Sequence, residues 1–303
     1  MTFVIVRDMR FLWDWLRPVI SVPYVPTLGP VQPGALSAEL FNAVAGIAGT
    51  RRFLPYDKDG RWFRRKDERL LVDEIIHTPD RTVVPTLSRA GSGLIKIHHY
   101  SPRPPEVDEV AQWARQWHTT YRAASSKLLW FQESPERARG RLMLKTFSNR
   151  DLQVADRVCK LSNCDVADTF PAFAEQFGVD GFSFLHQRIK AGHADGPILV
   201  TVEDRRIVGA VGPLSILTDA GGAIIQPPQY FAVHPAHRQR GHGRALWRAA
   251  MAWGRSNGAE YKVLQASVGS AAERLYLSEG LTTLGFVCTR DLTLTPGRPG
   301  SSR

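Results

Sequence analysis

The chain has 303 residues, 43% of them hydrophobic and 22% charged, with a formal net charge of +10. That length suffices for a full core, arranged as two domains or one enlarged domain. The positive excess divides evenly about residue 140, so neither half stands out as a basic module, and Cys159, Cys164 and Cys288 lack metal-ligand spacing and fit reduced thiols in a cytoplasm.

The apolar opening Thr2–Val6 is broken at once by Arg7, Asp8 and Arg10, so neither a membrane span nor a signal peptide is expected. Five prolines from Pro18 to Pro33 predict an extended segment, followed by helices at Ala35–Ala48 and Lys66–Ile76. Between those helices, Arg61-Trp62-Phe63-Arg64-Arg65-Lys66 interleaves cations with aromatics as RNA binders do, although the solvated start of a helix is the plainer reading. Val83 to Gly93 reads Val-x-Pro, five residues, Gly-x-Gly. Leu94–Tyr100 alternates as a strand, and its His98 and His99 have no Cys, Asp or Glu partner at metal spacing. Pro105 opens a helix whose stripe of Val107, Val110, Ala111, Ala114, Trp117 and Tyr121 predicts a core face.

After residue 140 the pattern sharpens. Leu142–Phe147 predicts a strand, Asp151 caps a predicted helix running to about Leu161, and Pro171–Lys190 is helical with breaks at Gly178 and Gly181. Ile198–Val202 and Ile207–Val211 flank a polar turn as a hairpin. Gln229–Val233 is the next strand, Arg244–Arg255 a helix with Leu246, Ala249, Ala250 and Trp253 on one face, and Tyr261–Ala266 a further strand. A helix at Ala271–Leu277 and a strand opening at Gly285-Phe286-Val287 complete the pattern. The tail from Pro296 reads as disordered.

Chemistry concentrates at residues 230–244. An apolar strand ends at Val233, Pro235 follows, and Arg238-Gln239-Arg240-Gly241-His242-Gly243-Arg244 leads straight into the amphipathic helix. Glycines admit a close ligand, and the helix start offers unpaired N–H groups and a positive dipole end, so the expected ligand is an anion such as a diphosphate. Arg238, Arg240 and Arg244 add positive charge at the mouth. The loop fits neither the P-loop spacing nor the dinucleotide fingerprint. His242, His234, Met251, Trp247 and Trp253 read most simply as structural residues.

This stretch resembles motif A of the GCN5-related N-acetyltransferases, Gln or Arg, two residues, Gly, one residue, Gly or Ala, through Arg238, Gly241 and Gly243. The resemblance covers about residues 141–292. It implies a mixed, mostly antiparallel α/β (α+β) fold with helices on both faces, preceded by an α+β region at 1–140 that is a degenerate copy or a cover for the substrate, and followed by a disordered tail at 293–303. It also implies acetyl-coenzyme A as co-substrate, cradled by the N–H groups of about Gln239 to Arg244. A backbone N–H near Val233 would polarise the thioester, and an amine would attack directly with no metal. Tyr276, in the pair Leu275-Tyr276, matches the family's general acid. Gly269 stands where an Asn is often found, with Ser270 beside it as a substitute contact to the pantetheine arm. Where relatives carry a Glu base, this chain has Gln229 and Tyr230, leaving Tyr230 and His234 as candidate bases. The resemblance therefore implies transfer to a small-molecule or peptide amine in the cytoplasm, with no membrane or nucleic-acid partner. The competing reading is a non-catalytic acyl-coenzyme A sensor whose basic first half holds RNA or a protein. The match of Val83–Gly93 to Val233–Gly243 is read as chance, ahead of a degenerate repeat.

Overall fold

The computed structural model describes residues 68–74, 76–78, 81–88, 93–100, 105–132, 136, 139–149, 157–178, 182–193, 195–218 and 223–292. The predicted Pro18–Pro33 segment, the Ala35–Ala48 helix, the Arg61–Lys66 patch, Asp151 and the tail lie outside these residues. In chain order the elements are β1 (Glu68–Leu70), β2 (Ile76–Thr78), β3 (Arg81–Ser88), β4 (Leu94–Tyr100), α1 (Val107–Tyr121), β5 (Ser125–Gln132), β6 (Gly140–Thr146) and β7 (Val158–Lys160). They continue with α2 (Phe170–Gln176), α3 (Phe182–Lys190), β8 (Leu199–Glu203), β9 (Arg206–Gly212), β10 (Leu217–Thr218), β11 (Ile224–Ile225) and β12 (Tyr230–Val233). The last are α4 (His242–Ser256), β13 (Tyr261–Ser267), α5 (Ala271–Ser278) and β14 (Thr282–Leu292). The protein is thus a mixed α/β chain with mostly antiparallel pairing. No helix among the described residues is long and apolar enough to cross a membrane.

Two compact units divide the chain, one of residues 1–143, 265–270 and 283–303, the other of residues 144–264 and 271–282. In the first, strands run in the order β1-β3-β4-β5-β14, with β2 also on β3. Pairing of β4 with β5 is parallel, and α1 is the crossover between them. Val110, Ala114 and Trp117 on α1 are buried in a core with Val83, Leu87, Ile95 and Ile97 of β3 and β4, as the predicted stripe requires. Glu74 fixes the helix from the side, accepting from Trp117 Nε1 at 2.7 Å and Tyr121 Oη at 2.8 Å.

The Lys66–Ile76 helix is a correction: that segment holds β1, a 3₁₀ turn at Val72–Glu74 and the start of β2. Glu68 to Leu70 pair with Ser88 to Thr86, and Ile76 pairs with Val83, so tertiary pairing overrides the local helical spacing. The break between β1 and β2 falls opposite Pro85. There Leu71 N–H reaches Pro85 O at 3.0 Å, so the proline nitrogen faces the gap, where no donor is called for.

The second unit is built on a four-stranded antiparallel sheet in the order β12-β9-β8-β7. Aromatic residues of α2, its C-cap and α3, Phe170, Phe173, Phe177 and Phe182, pack with Val200, Ile207, Ala210 and Ala232. Leu246 of α4 comes so close to β9 that a methyl group at Gly209 would lie 2.9 Å from its Cδ1. Elements therefore cover β9 from both sides, and Ile207–Gly212 is buried at every position. Asp204 and Arg205 turn the β8–β9 hairpin with φ of 50° and 56°, the left-handed pair that a two-residue turn needs. The Asp151–Leu161 helix is a second correction, because Val158–Lys160 is a strand paired with Thr201–Leu199. That strand, not the predicted Leu142–Phe147, opens the four-stranded sheet; the latter forms β6 outside it.

Candidate anion and acyl site at the start of helix α4

Strand β12 ends its sheet, and its register fixes which groups face outward. His234 N–H donates to Val208 O at 2.8 Å, so the neighbouring Val233 turns its own N–H and C=O away from β9. Arg238 Nε donates to Val233 O at 3.1 Å, tying the loop to the strand end. The Val233 N–H stands on the open edge. At the base of the strand, buried Lys262 of β13 donates to Pro227 O at 2.7 Å, Gln229 Oε1 at 2.6 Å and Gln226 O at 3.4 Å. Strands β12 and β13 are thus held together at their starts while belonging to different sheets.

Beyond Val233 the chain makes a 3₁₀ turn, Pro235–His237, capped by His234 Nδ1 accepting from Ala236 N–H at 3.2 Å. The next residues alternate in handedness, with Gln239 at φ 63° and Gly241 at φ 90°. A left-handed non-glycine residue costs about 1 kcal/mol, and alternating handedness is the backbone pattern from which anion-binding concavities are made. Helix α4 begins directly after Gly241, with no side-chain cap and no acidic residue in its first turn. Its first N–H groups therefore lack intrahelical acceptors and carry the positive end of the dipole. A side chain at Gly241 would meet nothing within 4 Å, so the left-handed backbone calls for glycine there. At Gly243 a methyl group would make ordinary contacts of 3.8 to 3.9 Å with Val233, Leu275 and Phe231.

The arginines do not stand free. Arg240 donates to Glu203 Oε1 at 2.7 Å, and Arg244 Nε pairs with Glu279 at 3.0 Å, with Arg248 on the same carboxylate. Glu203, at the end of β8, also accepts from His237 Nδ1 at 2.9 Å and His242 Nε2 at 2.8 Å, both on Oε2. Hydrogen bonds from His237, then His242, then Arg240 hold its carboxyl down at about 2. Glu203, His237 and His242 place ligand atoms within 4.8 Å of one another, a set that could hold a metal ion.

Tyr230, Ala232 and His234 share one face of β12, where Tyr230 meets Phe182 and His234 meets Phe177 with ring centroids 6.1 and 6.3 Å apart. Because Nδ1 of His234 is the capping acceptor, its Nε2 carries the proton in the neutral ring. Tyr276 is buried against Trp247, centroids 4.6 Å apart, and burial pushes its phenol well above the ordinary tyrosine value. Half-buried Ser270 precedes α5 and donates its N–H to Ser267 O at 3.1 Å. Sequence reasoning missed Glu203, Lys262 and Glu279. Glu203 fell within the polar turn of the predicted hairpin, and Lys262 within the predicted strand Tyr261–Ala266.

Residues 165–280 match the family model described as acetyltransferase (GNAT) family. A search of curated proteins found no match. Similar solved structures include a GCN5-related N-acetyltransferase from Sphaerobacter thermophilus, at 15% identity over 73% of this chain and 83% of that one, TM-score 0.45. An acetyltransferase from the GNAT family of Colwellia psychrerythraea is 10% identical over 85% and 98% of the two chains, TM-score 0.47. A GCN5-related N-acetyltransferase from Kribbella flavida is 14% identical over 84% and 96%, TM-score 0.44.

Proposed function

We propose that this protein transfers an acyl group, acetyl from acetyl-coenzyme A, to a primary amine of a small molecule or peptide, a reading supported by the match of residues 165–280 to the GNAT acetyltransferase family model. The observation that carries the proposal is the pairing of an outward Val233 N–H with a glycine-led, acid-free helix start only a few residues later. The N–H groups from Gln239 to Arg244 hold the diphosphate. Val233 N–H donates to the thioester oxygen, stabilising the charge that grows there as the amine attacks. The attacking nitrogen must be neutral to offer its lone pair, and alignment of the two reactants lowers the barrier further. The new C–N bond forms as the C–S bond breaks.

Tyr276, kept protonated by burial, supplies a proton to the departing sulfur. Tyr230 or His234, on the α2–α3 face of β12, or a water takes the proton released by the nitrogen. Arg238 positions the loop, while Arg240, Arg244 and His242 contribute through their backbone N–H groups. The chemistry needs no metal, and the setting is cytoplasmic. The competing reading, a non-catalytic acyl-coenzyme A sensor whose basic first half holds RNA or a protein, has its best local patch at Arg61–Lys66, outside the described residues.

Titration calorimetry with acetyl-coenzyme A tests the proposal. Wild-type protein is expected to bind, and Gly241→Glu to lose at least a hundredfold in affinity, on the order of 3 kcal/mol, because the carboxylate and the disturbed backbone both oppose the anion. Amines can then be screened for free-thiol release. Absence of wild-type binding would overturn the reading.

A further inference from the structure

Resting on the proposed acyl-coenzyme A reading, we infer that Glu203 is a positioning residue: one carboxylate on the β8–β9 hairpin that holds the anion-binding loop in its binding shape. Four observations converge. Its two oxygens accept from three residues of a single short segment, His237, Arg240 and His242. Those three residues bracket Gln239 and Gly241, the two left-handed positions of the loop. Left-handed non-glycine backbone persists only where surrounding contacts over-determine it, and the local hydrogen bonds of the loop, such as Arg238 N–H to Pro235 O at 3.2 Å, stop short of Gln239. Finally, the carboxylate sits on a rigid platform, since the tight turn at Asp204 and Arg205 fixes the end of β8 against β9.

The same trio could be a cation site, but Arg240 already stands on Oε1 as a fixed positive charge, and Arg238 and Arg244 flank it in sequence. That surrounding charge favours three donors on one carboxylate over a divalent ion. Glu203 never touches the acyl group. Its effect is to remove the cost of ordering the loop when the diphosphate arrives.

The test is calorimetric titration of wild type, Glu203→Gln and Glu203→Gln with Gln239→Gly, each with acetyl-coenzyme A and with inorganic pyrophosphate. A glutamine keeps the size but cannot accept from three donors at once. It is expected to raise both dissociation constants about tenfold while kcat at saturation stays within about twofold. Gln239→Gly, which adopts the left-handed backbone freely, is expected to recover most of that loss, a rescue that a merely structural role for Glu203 would not give. Equal binding by wild type and Glu203→Gln would overturn the inference while leaving the acyl-coenzyme A reading intact. Pyrophosphate binding without acetyl-coenzyme A binding would overturn that reading and leave Glu203 to be judged on pyrophosphate. Failure of wild type to bind either ligand overturns both. Micromolar Zn²⁺ binding by wild type that is lost in Glu203→Gln would replace the latch with a cation site.

Discussion

Two stretches of the chain share one local plan and differ in what they can bind. β3–β4–α1–β5 and β9–β12–α4–β13 each run as an antiparallel strand pair, a helix of 15 residues and a further strand. In the first, β5 lies parallel on the free edge of β4 from Leu94↔Ser125 to His99↔Trp130, so every N–H of β4 has a strand on the side it faces. In the second, β12 ends its sheet and Val233 keeps an outward N–H. The helix starts differ in the same sense. α1 opens with Glu106 at its N-cap and Asp108 and Glu109 in the first turn, whereas α4 opens on glycine without an acid. Carboxylates at a helix start already satisfy its dipole and repel a phosphate. On the proposed reading, a strand–helix–strand crossover is therefore not itself an anion site; the open edge and the acid-free start would make one.

Proline substitution breaks this comparison most directly. Ile97→Pro removes a ladder donor from a strand paired on both sides and is expected to cost at least about 3 kcal/mol, read as a lowered urea midpoint. Val233→Pro removes an N–H that no ladder uses. It should leave the midpoint nearly unchanged and lower kcat by about a hundredfold, with little change in acetyl-coenzyme A affinity. A collapse of both variants alike would show that β12 leans on its outer edge after all.

A smaller effect separates the two helices. Glu74→Ala removes the acceptor of the buried Trp117 indole N–H and of the Tyr121 hydroxyl, and should cost about 1–3 kcal/mol of stability without altering acetyl-coenzyme A binding. Equal losses in both readouts would show that the α1 region does more than pack. The smallest effect concerns acid. The Glu203 carboxyl titrates at about 2 when folded against an ordinary 4.5, so the folded state favours the ionised form. Its contribution is present above pH 4.5 and lost as pH falls through 2. Partial exposure keeps it small. Carboxyl carbon shifts followed by NMR should place the midpoint near 2, and Arg240→Ala should move it upward.

The loop was legible because its signals are local: Pro235, the spacing of Gly241 and Gly243 and the apolar face of α4 all lie within one short run. Helix α1 was legible for the same reason. What escaped was set by distant partners. Lys66–Ile76 and Asp151–Leu161 carry helix-compatible spacing, yet Leu70 meets Thr86 and Val158 meets Thr201, and no local pattern encodes those pairings. Glu203 lies more than thirty residues from the loop it grips, and Arg240 and Arg244 could not show in sequence that carboxylates hold them. The motif match between Val83–Pro85 and Val233–Pro235 misdirects, because Pro85 sits inside β3 whereas Pro235 follows the end of β12. The topological counterpart of β12 is β4, which carries no motif at all. Gly269, where an Asn was expected, has φ 79°, a conformation both residues accept.

Lys262 has a consequence for how this chain can vary. Its ammonium, buried and donating to two backbone oxygens and one amide oxygen, is met by no replacement of similar length: methionine lacks the donor, and arginine brings a planar fork too large for the same pocket. In a saturation library selected for folded protein, position 262 should accept almost nothing, while exposed Gln265 three residues along the same strand should accept most side chains.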